Sequence, residues 1–190
     1  MFDAHITPLA GQSITTDSIT IAEAPPTGLV TYRGDLADPR LAAVVKEVMG
    51  CALPARGMLV AGQGGAVGWM SPDELLLMPA LDQAPHLVAA LGAAMAGSHH
   101  LALDLSDARA VIRLQGQGLR DLLAKVTPAD LRPAVTPTGA LRRTRVGQVA
   151  AALAFVAEDE VWLLCFRSVA QYVFELMAQS ARDGRVGHYA

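Results

Sequence analysis

Val67-Gly68-Trp69-Met70 and Leu75-Leu76-Leu77-Met78 are apolar runs separated by Ser71-Pro72-Asp73-Glu74. Turn residues between two β-prone runs predict a strand, a turn and a second strand. The pattern returns later in the chain. Asp73-Glu74-Leu75-Leu76 matches Asp159-Glu160-Val161-Trp162 at an offset of 86, and Gly34 matches Gly116 at an offset of 82. Worked outward from these anchors, each half reads strand, helix, strands, helix. The expectation is an α+β fold of two similar halves sharing one core. Trp69 and Trp162 are read as related strand positions in the two halves.

Upstream, Leu29–Arg33 reads as a strand, and Asp38 followed by Pro39 reads as an N-cap and first helical residue. Leu41, Val44, Val45, Val48 and Met49 then form one apolar stripe, which Gly50 ends. A second helix covers Pro85–Ala96. In the second half, Leu101–Leu105 and Ala110–Leu114 are strands. Gly116-Gln117-Gly118 turns into a helix carrying Leu119, Leu122, Leu123 and Val126. Leu141–Val146, Val149–Val156 and Val161–Phe166 are further strands, and Ser168 caps a last helix. Residues 1–27 read as an extended arm with one short strand, Ser18–Glu23, ended by Pro25-Pro26. The predicted division is therefore an arm (1–27), a first half (28–98), a second half (99–182) and a C-terminal tail (183–190).

The 190 residues are 52% hydrophobic and 17% charged, which excludes intrinsic disorder and provides for a sizeable core. A net charge of -3 argues against nucleic acid or an anionic membrane as partner. Two cysteines, Cys51 and Cys165, make no disulfide framework and fit reduced thiols. Met1-Phe2-Asp3-Ala4-His5 is not a basic leader, and no apolar stretch reaches the roughly 18 residues of a membrane span. These features predict a cytoplasmic protein with no membrane association.

The chemistry-bearing motifs are sparse. Gly116-x-Gly118 follows a strand and opens a helix, but Asp121 stands where a dinucleotide fingerprint has its third glycine. It is read as a strand-to-helix turn. His100 and Asp104 share a strand face at a separation of roughly 13 Å, too far for one ion, and His99 points the other way. No metal site is expected. His188 has no partner that the sequence names. Ser106, Ser168 and Cys165 have no histidine at a nucleophile's spacing, and Cys165 sits in an apolar strand as an inert thiol. Arg143 and Arg145, on one face of a strand, are the candidates for contact with a carboxylate or an acidic partner surface. No catalytic, cofactor-binding or metal-binding residue is assigned.

Several motifs, in order from Gly28 to Met177, resemble the gamma subunits of heterotetrameric sarcosine oxidases. They are Tyr32-Arg33-Gly34-Asp35 with Asp38-Pro39, Gly68-Trp69-Met70-Ser71-Pro72-Asp73-Glu74, Asp104-Leu105-Ser106-Asp107-Ala108-Arg109, Arg113-Leu114-x-Gly116, Pro128-x-Asp130-Leu131 and Phe166-Arg167-Ser168-Val169-Ala170-x-Tyr172. The arm and tail match nothing in the family, and Arg142-Arg143 is more basic than its pattern. The resemblance implies a fold like the folate-binding domain of aminomethyltransferases, with the two α+β halves intertwined. It also implies a noncatalytic assembly subunit, whose complex demethylates sarcosine oxidatively to glycine and passes the one-carbon unit to tetrahydrofolate. On this resemblance the chain carries no cofactor, and FAD, FMN, NAD, tetrahydrofolate and zinc belong to the other subunits. The partners are those subunits, above all the large alpha subunit. Asp104 and Arg109 match motif positions and are read as structural, through Asp–Arg or Asp–backbone bonds. The alternatives are a free-standing folate-binding or one-carbon-transfer protein and an unrelated domain with the same fold.

Overall fold

The structure, a computed structural model, describes residues 7–184. His188 and most of the tail lie outside the described residues. The chain divides into two compact units. The first is Pro26–Asp107. It contains β3 (Val30–Arg33), α1 (Pro39–Met49), β4 (Leu59–Gly62), β5 (Gly65–Ser71), β6 (Glu74–Met78), α2 (Ala84–Ala94) and β7 (Leu101–Asp104). The other joins the segment before Pro26 to that from Ala108 onward. It holds β1 (Ser13–Thr15), β2 (Ile19–Glu23), β8 (Arg109–Gly116), α3 (Leu119–Ala124), β9 (Leu141–Val146), β10 (Val149–Ala157), β11 (Glu160–Phe166) and α4 (Ala170–Arg182).

The strands of the first unit lie in the order β4-β5-β6-β3-β7, and those of the other in the order β1-β2-β8-β11-β10-β9. All pairings are antiparallel. With one order reversed, the five strands of the first sheet match β9, β10, β11, β8 and β2 in turn, β7 taking the place of β2, and β1 has no counterpart. Each sheet thus draws the strand beside β3 or β8 from the stretch leading into the other half. The duplication is exact to the residue at its anchors. Gly34 N–H donates to the Asp73 carbonyl at 3.0 Å, and Gly116 N–H donates to the Asp159 carbonyl at 2.8 Å. The irregularity between Trp69 and Ser71 in β5 recurs between Phe155 and Ala157 in β10.

This exchange corrects the predicted boundaries. The division falls after Asp107, not after residue 98, because β7 pairs with β3. Residues 7–27 are not an arm with one strand: β2 is an interior strand paired to β8, and β1 pairs outside it. The register also separates the tryptophans. Trp69 corresponds to Phe155, and Trp162 corresponds to Leu76.

Local chemistry sets the helix ends. Asp38 Oδ1 accepts the Arg40 amide at 2.9 Å, Pro39 opens α1, and left-handed Gly50 closes it with a bond to the Lys46 carbonyl. Ser168 does not cap α4. It lies in a short 3-10 turn, Arg167–Val169, and the helix follows from Ala170 without a side-chain cap.

Each unit has its own apolar cluster, so two cores replace the single one expected. In Pro26–Asp107 it includes Val30, Tyr32, Leu41, Val45, Leu75 and Leu87. In the other it includes Ile21, Ile112, Leu123, Leu153, Phe155 and Val173. Leu76 and Met78, on the opposite face of β6 from Leu75 and Leu77, are buried as well. Burial on both faces explains the unbroken apolar run. No helix among the described residues is long and apolar enough to cross a membrane.

Candidate functional site

The Gly116–Asp121 turn borders a cavity of about 670 Å³ lined by Gln117, Arg120, Asp121, Pro133, Glu158 and Asp159, among others. Its glycines serve the backbone. Gly116 has φ 134, and a β-carbon there would come 2.0 Å from the carbonyl oxygen of Ser18, the residue before β2. Gly118 is left-handed at the start of α3. Three carboxylates disfavour a pyrophosphate. The one guanidinium lies 4.8 Å over the Phe155 ring and donates to the Leu131 carbonyl. The turn reading stands.

Asp104 closes a loop. Its Oδ1 accepts the Ser106 amide at 2.9 Å and the Ser106 hydroxyl at 2.5 Å, while Ser106 Oγ accepts the Leu29 amide at 2.9 Å. The Asp104–Ser106 turn is thereby fixed to the residue preceding β3. Arg109 lies 5.2 Å over the Phe166 ring, opposite it in the β8–β11 register. Of the two kinds of structural bond expected for Asp104, the one to backbone is present.

Sequence reasoning missed a polar cluster on β8 and β11. Glu160 Oε1 accepts Arg113 Nε at 2.9 Å and Trp162 Nε1 at 2.7 Å. Its counterpart in the other unit is Glu74, which accepts Arg33 at 2.8 Å and the Thr31 hydroxyl at 3.2 Å. The Arg33–Glu74 and Arg113–Glu160 ion pairs bind neighbouring strands together. The repeated Asp-Glu at 73–74 and 159–160 was their sequence signal.

Arg143 and Arg145 are both exposed on β9, an edge strand. Arg142 donates to the Val135 carbonyl at 2.6 Å. His99 is exposed, whereas His100 contacts the Ser98 carbonyl through Nδ1 and stacks on Tyr32 at 6.3 Å. Among the described residues no group of three His, Cys, Asp or Glu is placed to hold a metal ion. Cys165 is buried, and desolvation pushes its thiol up to about 11, against a smaller downward pull from Arg109. A protonated thiol is a poor nucleophile at neutral pH. Exposed side chains on edge strands remain: the β9 arginines, and Leu101 and Leu103 on β7. Such features suit protein contact better than bond-making chemistry.

Residues 33–183 match the model of the sarcosine oxidase gamma subunit family. The chain belongs to this family. Its curated relatives include sarcosine oxidase subunit gamma from Corynebacterium sp. (strain U-96), 40% identical over 48% of this chain and 44% of that protein. A second, from Arthrobacter sp., is 32% identical over 68% of this chain and 63% of that protein. Both matches span less than two thirds of the relatives' own length. Among solved structures, a chain of the heterotetrameric sarcosine oxidase from Corynebacterium sp. U-96, in complex with pyrrole 2-carboxylate, superposes with a TM-score of 0.82. That match covers 97% of this chain and 98% of the other at 24% identity. The glycine cleavage system aminomethyltransferase T from Bartonella henselae gives a TM-score of 0.62 at 15% identity, over 84% of this chain and 45% of that one. This chain thus shares its fold with part of that aminomethyltransferase.

Proposed function

We propose that this chain is the noncatalytic gamma subunit of a heterotetrameric sarcosine oxidase and serves its assembly in the cytoplasm. Family membership across residues 33–183 carries this reading. The side-chain chemistry supports it: Asp104, Glu74 and Glu160 are engaged in turn-fixing or strand-pairing bonds, and the Cys165 thiol is held protonated. The complex demethylates sarcosine oxidatively to glycine and delivers the one-carbon unit to tetrahydrofolate. FAD, FMN, NAD, tetrahydrofolate and zinc reside on its other subunits. The large alpha subunit is the main partner, and Arg143 and Arg145 lie at the rim of that contact, where charge speeds association more than it deepens affinity.

The test is co-expression with the other oxidase subunits, with and without this chain. Assembly yield and thermal stability should fall when the chain is omitted. Equal yield and stability without it overturn the scaffold reading. Tight tetrahydrofolate binding by the isolated chain would then favour a free-standing one-carbon protein.

A further inference from the structure

The duplication shows what normally covers one edge of this fold, and in one unit that cover is missing. In the β8 sheet, β2 is flanked on its outer side by β1, antiparallel, with Ile14 opposite Ile21. In the β3 sheet the corresponding strand is β7, and among the described residues no strand pairs with its outer side. The registers align the two strands residue by residue. Thr20 lies opposite Gln115 as Leu101 lies opposite Arg33, so Ala22 corresponds to Leu103 and Glu23 to Asp104.

The backbone of β7 is set up as that of β2 is. Ala24 N–H donates to the Val111 carbonyl, and Leu105 N–H donates to the Leu29 carbonyl. Hydrogen-bonded positions alternate along an antiparallel pair, so Leu101 and Leu103 turn their peptide groups towards β3. The peptide groups of Ala102 and Asp104 therefore face outward, as do those of Ile21 and Glu23, which β1 and its flanking residues meet. Glu23 N–H donates to the Gln12 carbonyl at 2.9 Å.

Two side-chain features say what would fit. Leu101 and Leu103 share one face of β7, each 47% exposed, where β2 carries Thr20 and Ala22. A water-exposed edge gains nothing from two leucines, whereas an incoming strand can cover them. Glu23 shows how the acidic residue works: its carboxylate accepts the Leu9 amide at 2.9 Å, the Gly11 amide at 2.6 Å and the Thr7 hydroxyl at 2.7 Å, and so captures the segment that becomes β1. Asp104 is exposed at the matching end, with Oδ1 committed to Ser106 and Oδ2 directed to no described partner.

We propose that the outer edge of β7 receives an extended strand from a partner subunit, running antiparallel, with apolar side chains over Leu101 and Leu103 and a basic side chain at Asp104. Main-chain bonds to Ala102 and Asp104 give the strand its register, and the leucines and the carboxylate select it. This rests on the subunit reading above and specifies where the partner engages.

The test uses the full chain, free and in the co-expressed complex. In the wild type, amide exchange at Ala102 and Asp104 should slow by about 100-fold on assembly, without any substitution. The double variant Leu101→Lys/Leu103→Lys, and separately Asp104→Lys, should bind the other subunits on the order of 10-fold more weakly. These side chains are exposed, so circular dichroism and melting of the free chain should match wild type. Val135→Lys, on an exposed residue of the other unit, should assemble normally. Exchange that is unchanged on assembly, or edge variants that assemble with wild-type affinity, overturns the strand while leaving the subunit reading intact. A wild-type chain that captures no oxidase subunit overturns both. A free-chain dimer that the edge variants dissociate, beside a complex they do not weaken, assigns the edge to a second copy and overturns the proposal.

Discussion

A β-carbon on Gly116 meets the Ser18 carbonyl oxygen at 2.0 Å, and the φ of 134 is itself unfavourable for any other residue. Gly116→Ala must therefore either push β2 off β8 or distort the turn, at a cost of about 2–4 kcal/mol. Gly97 separates clash from strain: its φ is 82, but nothing lies within 4 Å of a β-carbon there. Gly97→Ala should cost about 1–2 kcal/mol, from φ alone. Urea denaturation of the two variants checks the ranking, and equal midpoints would remove the clash argument. Cys165 gives a second residue-scale expectation. Burial raises its pKa from 9.0 to about 11, so the folded state keeps the proton that the unfolded chain releases. Its contribution to stability is complete below 9 and is lost as pH rises through 11. A chromogenic disulfide reagent at neutral pH should leave Cys165 unmodified until denaturant is added, and fast native-state labelling of that residue contradicts this burial.

At the scale of elements, α1 was legible because its signals are local: Asp38 and Pro39 before the stripe, Gly50 after it. The Arg40 side chain and amide hold the Asp38 carboxyl below its ordinary 3.8. A depressed carboxyl stabilises the fold above that value and ceases to do so as pH falls through the folded-state pKa. Asp38→Ala should therefore lower the melting temperature at pH 7, and the gap from wild type should close on acidification below 3.8. A gap that persists there would mean that the cap acts without its charge. Elements defined by their partners were less visible. Ser13–Thr15 and Leu59–Gly62 are three and four residues long, and they become strands only because β2 and β5 lie beside them. The onset of α4 was misplaced because Ser168 offers cap chemistry that the 3-10 turn does not use. In the Arg113–Glu160–Trp162 cluster, Arg113 and Glu160 are 47 residues apart, and the repeated Asp-Glu marks the carboxylate without naming its partners.

For the whole molecule, the repeat was readable from the Asp-Glu and glycine anchors, but the exchange of strands between halves was not, since periodicity does not say which sheet a strand joins. That exchange changes what the first 25 residues are for. An arm could be removed with little loss. Here Leu9, Ile19 and Ile21 belong to the core cluster of the β8 sheet, and β2 pairs with β8 from Ile19 to Glu23. Burying three such side chains contributes on the order of 5 kcal/mol, comparable to the roughly 5–15 kcal/mol by which whole domains are stable. Deletion of residues 1–25 should therefore leave Ala108–Arg182 without cooperative folding, with loss of protection in the β8, β10 and β11 amides. A peptide spanning Thr7–Pro25, added in trans, should restore it, because Glu23 captures the Thr7–Gly11 segment and the β8 edge supplies the register. The measurement is amide exchange in the truncated chain, with and without peptide. Native-like protection in the truncated chain alone would return these residues to the status of an arm. Failure of a soluble peptide to restore protection would mean that β2 must pair with β8 while still joined to the chain.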